Sequence, residues 1–188
     1  MPKSVENVYS AALLELLQEE HGNNQAGYAQ VLAELGKVNE VFSAAPELIK
    51  LSMVPSVSHG DKLSVIKNVF GDEGIGVSPY VLNFLSVLCR ERRLGRFGGI
   101  YRDFRVKYYE LFKITPVTVT SAFALTEEQR KKITEKMQSL TNQQVELIEK
   151  TDKSIIGGVV VNYGGRMLDG SVKTRLESMK KEIADIVL

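Results

Sequence analysis

The sequence predicts a mainly α-helical protein, with an N-terminal six-helix bundle over residues 1–105 and a connector and small α+β domain over residues 106–188. Apolar residues recur at spacings of three and four through the first part, which is typical of helices that bury one face. From Ile114 the pattern changes to alternating β-branched residues, which indicates strands. A capping box from Thr126 to Gln129 then opens a helix between two strand patterns. The combination favours a helical domain followed by a separate mixed domain.

The first helix is expected to begin after Ser4, whose hydroxyl can accept a hydrogen bond from a free N–H group of the first turn. It should run from Val5 to about Glu20. One broad apolar face is predicted, made of Val5, Tyr9, Ala12, Leu13 and Leu16, with Leu14 and Leu17 beside them. Five further helices are predicted, two of them at about residues 25–43 and 46–53. The fourth should start at Ser58, the fifth should have Pro79 at its first position, and the sixth should carry apolar residues from Phe97 to Leu111.

The fifth helix should be capped by Ser78, with Pro79 at its first position. Apolar residues surround it on nearly every side, which predicts burial on two sides. Together, the first and fifth helices could form a groove for the amphipathic helix of a partner. The residues expected to line that groove are Tyr9, Ala12, Leu13, Leu16, Leu82, Phe84 and Leu85. The alternative is that most of these seven fill the bundle core, so about half are expected to touch a partner.

The second domain is predicted to contain a strand, a helix, two strands, a short strand and a final helix. Pro116 is expected to place the start of the first strand at a sheet edge, because proline has no N–H to donate. A strand from Ile155 to Tyr163 is apolar on both faces and should be central in the sheet. Gly164 and Gly165 form a predicted two-residue hairpin turn, and Arg166 begins the return strand.

Both helices of the second domain are expected to cover the sheet. The capping-box helix should face inward through Ile133, Met137 and Leu140. Asp169 is expected to open the last helix, since its carboxylate can accept N–H groups of the first turn. The inward face of that helix is predicted to be Val172, Leu176, Met179, Ile183 and Ile186.

No common catalytic pattern occurs in the sequence. Gly165 and Gly170 have the spacing of a phosphate-binding P-loop, but Ser171-Val172 stand where that loop needs Lys followed by Ser or Thr. Turns and close backbone approach explain these glycines better than a small enzyme site does. His21 and His59 have no cysteine or second histidine at metal-ligand spacing. We therefore predict no catalytic, cofactor-binding or metal-binding residue.

Charge is unevenly distributed, with net −5 over residues 1–78 and net +5 over residues 79–113. A basic segment from Arg90 to Lys107 carries interleaved aromatic residues, which raises the hypothesis of a nucleic-acid-binding regulator. The simpler interpretation is that the aromatic residues share a core face and the basic residues form a solvated one. We favour the second interpretation.

The stretch from the third strand onward resembles the C-terminal signature of the ATP synthase δ subunit family, whose mitochondrial homologue is the oligomycin-sensitivity-conferring protein. The matching residues are Ile156, Gly157, Gly158, Gly165, Asp169, Ser171, Val172, Arg175 and Leu176. Tyr9 with Ala12, Asn83-Phe84 and Arg93-Leu94 are similar to positions of the same family. The resemblance covers the whole chain.

The resemblance implies a non-catalytic stator subunit of a rotary proton-translocating ATP synthase, without a cofactor. In that family the helical domain binds N-terminal helices of α subunits on the catalytic head, and the second domain binds the C-terminal ends of b-type stalk subunits. The implied location is peripheral on the energy-transducing membrane, on the cytoplasmic side in a bacterium or the matrix or stroma side in an organelle, with no direct membrane insertion and no nucleic acid. The residues implied for the stalk domain, in binding or in structure, are Gly157, Gly158, Asp169, Ser171, Val172, Arg175 and Leu176.

The missing P-loop lysine gives a first prediction. The isolated protein should show no saturable ATP binding at micromolar concentration and no ATP hydrolysis, because no side chain stands where the loop lysine would reach the phosphates. Equilibrium dialysis with labelled ATP is the measurement. Stoichiometric micromolar binding would contradict the interpretation of Gly165 to Ser171 as a turn and a helix cap.

Overall fold

The computed structural model describes residues 4–71, 74–176 and 179, in two compact units, Met1–Tyr108 and Tyr109–Leu188. The described chain is mainly helical, with one small four-stranded sheet in the second unit. The helices are α1 (Val5–His21), α2 (Gln25–Ala44), α3 (Pro46–Met53), α4 (His59–Phe70), α5 (Pro79–Arg90), α6 (Phe97–Phe112) and α7 (Glu127–Thr141). The strands are β1 (Ile114–Ser121), β2 (Gln144–Thr151), β3 (Val159–Tyr163) and β4 (Arg166–Asp169).

Helix α1 begins as expected but is turned differently about its axis. Ser4 caps it, because the Ser4 hydroxyl accepts a hydrogen bond from the Asn7 N–H at 3.2 Å. The buried face consists of Ser10, Leu13 and Leu17. The predicted apolar face is therefore only partly the core face, and its remaining members lie on the flank of the helix.

Ser10 is fully buried because it completes a polar network between α1 and α6. Its hydroxyl donates to the Asp103 carboxylate, and the Lys107 ammonium donates to Ser10 Oγ at 2.7 Å and to the Asn7 carbonyl at 3.0 Å. Burial opposes ionisation of Asp103, but the hydrogen bonds from Ser10 and Lys107, with the charge of Lys107, outweigh it and lower the Asp103 pKa. The network therefore joins the two helices through a satisfied ion pair, with 3.0 Å between Lys107 Nζ and Asp103 Oδ2.

Aromatic side chains form the centre of the helical unit. Phe42 packs edge-on against Phe70 and Phe97, with ring centroids 5.3 and 5.2 Å apart. Tyr28 and Phe104 are also fully buried. Rings in this arrangement contribute area burial together with favourable edge-to-face contacts.

The start of α5 corrects the predicted cap. Ser78 precedes Pro79 as expected, but its buried hydroxyl makes no hydrogen bond within the described residues. The Ser78 N–H instead donates to Glu34 Oε2 at 2.9 Å, and Gln30 donates to Glu34 Oε1 at 3.0 Å. The Glu34 carboxylate of α2 thus accepts a hydrogen bond at the start of α5, where the Ser78 hydroxyl is the predicted acceptor.

Helix α5 is buried on one side, and the prediction of burial on two sides is wrong for this unit. Its buried residues are Val81, Leu85, Leu88 and Cys89. Leu82 and Phe84 are only half-buried, and Val87 is 37% exposed. The excess apolar residues therefore remain on the surface of the helical unit.

The sheet of the second unit has the strand order β2-β1-β3-β4. Strands β1 and β2 are parallel and are connected through α7, while β1–β3 and β3–β4 are antiparallel. Strand β1 is thus interior, but Pro116 lies one residue before Val117, where pairing with β3 begins. The edge predicted for Pro116 exists only at the start of the strand, on the β3 side.

Helix α7 covers one face of this sheet. The predicted capping box is confirmed, since Thr126 Oγ1 accepts from the Gln129 N–H and the Gln129 side chain accepts from the Thr126 N–H. Met137 is buried in a core with Val117, Val119, Leu125 and Val161. Leu140 was predicted to face inward and is instead 53% exposed, because it lies near the end of the helix beside an open part of the sheet.

Strand β3 is interior as predicted, but it is shorter than expected. It begins at Val159, and the preceding residues form an irregular segment beside the start of the last helix. The Gly157 carbonyl accepts from the Val172 N–H at 3.0 Å, and the Val159 carbonyl accepts from the Gly170 N–H at 2.9 Å. The chain needs Gly158 between these bonds, since φ there is +83° and a Cβ would lie 2.3 Å from the Gly170 carbonyl oxygen.

The predicted hairpin turn is confirmed, whereas the predicted start of the final helix is wrong. Gly164 and Gly165 connect β3 to β4 with φ of +50° and +75°, as a two-residue turn requires. Asp169 does not open the helix but ends β4, and its carboxylate accepts from the Ser171 N–H and the Thr174 hydroxyl, each at 2.8 Å. These bonds lower the pKa of Asp169. Ser171 is the cap, because its hydroxyl accepts from the Thr174 N–H at 3.3 Å.

The apolar face of this last helix does not cover the sheet within the described residues. Val172, Leu176 and Met179 are 43, 52 and 52% exposed. Ile183 and Ile186, the other predicted members of that face, lie outside the described residues. The sheet is therefore covered by α7, and the predicted covering by Val172, Leu176 and Met179 is wrong.

Gly158 and Gly165 form a matched pair for a stability test. Both have a positive φ, but a Cβ at Gly165 meets nothing within 4 Å, whereas one at Gly158 collides with backbone. Gly165→Ala should cost about 1–2 kcal/mol through backbone strain alone, and Gly158→Ala should cost distinctly more because Gly170 must also move. Hydrogen exchange of the β3 amides in the full chain measures the difference. Equal protection of the two variants would contradict the close contact at Gly158.

Candidate partner-binding site

An apolar concavity of the helical unit lies between α1 and α5. This cleft, of about 260 Å³, is called here the α1/α5 cleft. Its lining residues are Tyr9, Ala12, Leu13, Leu16, Tyr80, Asn83, Phe84 and Val87. Apart from Asn83 and the two tyrosine hydroxyls, the lining side chains are apolar. Such a surface suits the apolar face of an amphipathic helix.

Five of the seven residues predicted for a groove line this cleft. They are Tyr9, Ala12, Leu13, Leu16 and Phe84. Leu85 has no exposed surface and belongs to the core, and Leu82 is half-buried outside the cleft.

Three lining residues were missed by the sequence interpretation, namely Tyr80, Asn83 and Val87. Tyr80, Phe84 and Val87 lie at spacings of four and three on one side of α5, and Asn83 lies between them. This spacing alone could have identified the lining face. It was obscured because α5 has apolar residues on nearly every side, so that no single stripe stands out.

The two ends of the α1/α5 cleft are polar. At one end Tyr9 packs edge-on against Phe84, and Arg93 lies over the Tyr9 ring at 5.4 Å. At the other end the Tyr80 hydroxyl donates to Glu20 Oε2 at 3.0 Å, and this hydrogen bond with the Glu20 charge raises the Tyr80 pKa. Since Tyr80 begins α5 and Glu20 lies near the end of α1, the two helices line the cleft in opposite directions.

A second, basic cleft of about 350 Å³ adjoins the Arg93 end. It is lined by Val5, Met53, Arg92, Arg93, Gly95 and Arg96, and we call it the arginine cleft. Arg96 is 3.4 Å from Glu6 Oε1. Tyr9 lines the first cleft and contacts Arg93 of the second, so the two concavities meet there.

The remaining basic residues of segment 90–107 do not form a nucleic-acid surface with the aromatic residues. Phe97, Phe104 and Tyr108 are buried, so their rings are not available to stack on bases. Lys107 bonds internally to Asn7, Ser10 and Asp103. Phe97, Phe104 and Tyr108 are thus core residues, as the simpler interpretation had it, whereas Tyr101 is half-buried with Arg105 over its ring at 5.8 Å.

The second unit carries its own apolar cleft between α7 and the sheet. This cleft, of about 200 Å³, is lined by Ile133, Lys136, Met137, Leu140, Val159, Val161, Leu168 and Gly170. Among the predicted stalk-domain residues, Gly157, Gly158, Asp169 and Ser171 hold the chain beside this cleft through backbone contacts and the helix cap. Val172, Arg175 and Leu176 lie on the exposed start of the last helix.

A phosphate-binding loop is absent from the glycine-rich stretch. The residues between Gly165 and Gly170 form strand β4, and the Asp169 carboxylate at its end accepts a hydrogen bond from the Ser171 N–H. Within the described residues, no helix is long and apolar enough to cross a membrane.

Comparison with known proteins identifies the family. The family model described as ATP synthase delta (OSCP) subunit matches residues 5–183. A protein of Desulforamulus reducens named ATP synthase subunit delta is 33% identical over 175 residues, covering 93% of this chain and 92% of that protein. A protein of the same name from Lachnoclostridium phytofermentans is 31% identical over the full length of both chains.

The fold agrees with this relationship. A chain of the Toxoplasma gondii mitochondrial ATP synthase hexamer superposes with a TM-score of 0.65, at 20% identity, covering 96% of this chain and 98% of that one. The family model and the relatives span the helical unit and the sheet unit alike. The chain therefore belongs to the ATP synthase delta (OSCP) subunit family, and it is a non-catalytic stator component of that complex.

Proposed function

We propose that the α1/α5 cleft binds the amphipathic N-terminal helix of an ATP synthase α subunit, and so attaches the stator to the catalytic head. The observation that carries the proposal is a continuous apolar lining contributed by two adjacent helices. In this proposal the six helices of residues 1–105 act as one bundle that presents the cleft. Burial of apolar side chains from the partner supplies the binding free energy.

The dimensions of the cleft support a short helical ligand. Its α1 lining residues run from Tyr9 to Leu16, a span of about 10 Å at 1.5 Å per residue. Two turns of a partner helix can therefore place an apolar stripe against the lining. Leu16, 42% exposed, offers surface that a ligand would cover, whereas Leu13 is only 4% exposed and mainly serves the core.

Leu16→Asp tests this site with little risk to folding. The substitution places a charge in a contact that becomes desolvated, so binding of the α-subunit N-terminal peptide should weaken at least about tenfold, which corresponds to about 1.4 kcal/mol. Val8→Asp is the matched control, because Val8 is 49% exposed on the same helix and does not line the cleft. Isothermal titration calorimetry gives both affinities.

Equal weakening by the two substitutions, or none by Leu16→Asp, would contradict the placement of the partner in this cleft. Circular dichroism of both variants should match that of the parent, since each residue is exposed. A loss of helical signal in Leu16→Asp alone would show that Leu16 serves the core.

We further propose that the second unit, with residues 106–188 as the stalk-binding domain, holds the C-terminal ends of b-type subunits. Apolar residues that the chain leaves uncovered support this proposal, namely Leu140, Leu168, Val172 and Leu176. Gly157, Gly158, Asp169 and Ser171 have a structural role in it, since they fix the start of the last helix beside the cleft. Val172, Arg175 and Leu176 offer the contact surface.

Leu168→Asp and Met167→Asp form a second matched test. The two residues are adjacent on β4, are 45 and 66% exposed, and point to opposite faces of the sheet; only Leu168 lines the cleft. Leu168→Asp should lower ATP synthesis after reconstitution with stripped membranes, while Met167→Asp should leave it near the parent level. Binding of both variants to the isolated catalytic head should be unchanged. A normal rate with Leu168→Asp would contradict a stalk site at this cleft.

The same proposal gives the chain a location beside the catalytic head, on the cytoplasmic side of the membrane in a bacterium. The bacterial arrangement is the one to test, because the relative from Desulforamulus reducens is a bacterial protein named ATP synthase subunit delta. Proteolysis of inverted and right-side-out vesicles, followed by immunodetection of the chain, distinguishes the two sides.

A further inference from the structure

Opposite charges flank the α1/α5 cleft. The Glu20 carboxylate lies at Tyr80, and its only hydrogen bond within the described residues comes from the neutral Tyr80 hydroxyl. The Arg93 guanidinium lies over Tyr9 at the other end. Because Tyr80 and Tyr9 both line the cleft, a ligand in it is exposed to a negative charge at one end and to positive charges at the other.

The basic end carries more charge than its acidic neighbours neutralise. Four arginines fall within residues 90–96, and Arg90 and Arg96 each lie 3.4 Å from a glutamate oxygen. Arg92 and Arg93 make no ion pair within the described residues. Both line the arginine cleft, which opens next to the apolar one. The unpaired positive charges of Arg92 and Arg93 therefore face any part of a ligand that extends past Tyr9 out of the α1/α5 cleft.

We propose that the α1/α5 cleft accepts its partner helix in one direction only, with the acidic end of that helix at Arg92, Arg93 and Arg96 and the basic end at Glu20. This inference rests on the proposed function of the cleft and adds the orientation and charge pattern of the ligand. An apolar stripe alone is close to symmetric and selects no direction. Charge complementarity fixes the register, because the reversed helix would bring like charges together at both ends.

A protein segment is favoured over a nucleic acid as occupant of the arginine cleft. The cleft continues into an apolar one instead of a basic groove, and one of its three arginines is already paired with Glu6. A single-stranded nucleic acid is typically bound by a groove of cations that follows its phosphates, with exposed rings on which its bases stack. Of the rings in this segment, Phe97, Phe104 and Tyr108 are buried, and the half-buried Tyr101 lines neither cleft.

The test uses the full chain and one synthetic amphipathic peptide of about 18 residues, or five helical turns. Leucines form one face, glutamates occupy only the first half and lysines only the second half. A nitroxide label is attached at the acidic end in one sample and at the basic end in another. The measurement is broadening of the backbone amide signals of Gly95, at the arginine cleft, and of Gly22, beside Glu20.

The expected result is that the label at the acidic end broadens Gly95 more than Gly22, and that the label at the basic end does the reverse. Equal broadening of both signals, or the opposite pattern, would overturn the inference while leaving apolar binding in the cleft intact. Absence of peptide binding, with the catalytic head still bound, would overturn the inference but not the proposed function. Displacement of the peptide by a single-stranded oligonucleotide would also overturn it, since the basic end would then be a nucleic-acid site.

A charge reversal gives a second readout that does not depend on the label. Arg92→Glu should weaken peptide binding about fivefold at low salt, and the difference should shrink as salt is added. Arg102→Glu is the matched control, because Arg102 is an exposed arginine that lines neither cleft. Equal effects of the two variants would mean that only net charge matters, which would contradict a directed site.

Discussion

The partly buried polar network of Ser10, Asp103 and Lys107 orients α1 about its axis by placing Ser10 toward α6, and the candidate site depends on that rotation. The Asp103 and Lys107 side chains are 32 and 22% exposed, and the fully buried Ser10 hydroxyl is hydrogen-bonded to both. With Ser10 facing α6, Leu13 and Leu17 also enter the core. The neighbouring apolar residues are thereby left on the flank toward α5, where they line the cleft. A polar contact thus decides which apolar residues are available to a partner.

The α1/α5 cleft separates two physical tasks. Its apolar lining can supply most of the binding free energy, because apolar burial is strong but has little directional preference. The charges at its ends can determine the direction in which a helix binds, although exposed charges usually contribute little to the binding free energy. A stator component has to hold its neighbours in a defined orientation, so both properties suit the role of this family.

In the second unit, a close backbone contact, and not a polar side-chain network, leaves apolar residues on the surface. Its backbone is brought together at Gly158, where the absence of a side chain lets Gly170 and Ser171 approach. The hydrogen bonds on either side of Gly158 fix the start of the last helix, and Ser171 caps it. Val172 and Leu176 consequently face outward. Apolar residues at helical spacing, which look like core in the sequence, are here surface beside an open cleft.

Local interactions made much of this fold predictable from the sequence. The Ser4 and Thr126 caps, the Gly164-Gly165 turn and the helix boundaries depend on groups within a few residues of one another, so their signals are written in short stretches. The need for glycine near Gly158 could also be anticipated, because that residue type permits close backbone approach. Five of the seven groove residues followed from the apolar excess on two helices.

Only the tertiary structure decided which apolar face points inward. Leu85 became core while Tyr80 and Val87 became lining, because the neighbours of α5 come from distant parts of the chain. Glu34 replaced the Ser78 hydroxyl as acceptor for the same reason, across 44 residues. The sequence by itself determined where helices and turns form, since local sterics and capping control them. Rotation, burial and the meeting of the two clefts depend on long-range packing, which no local pattern contains.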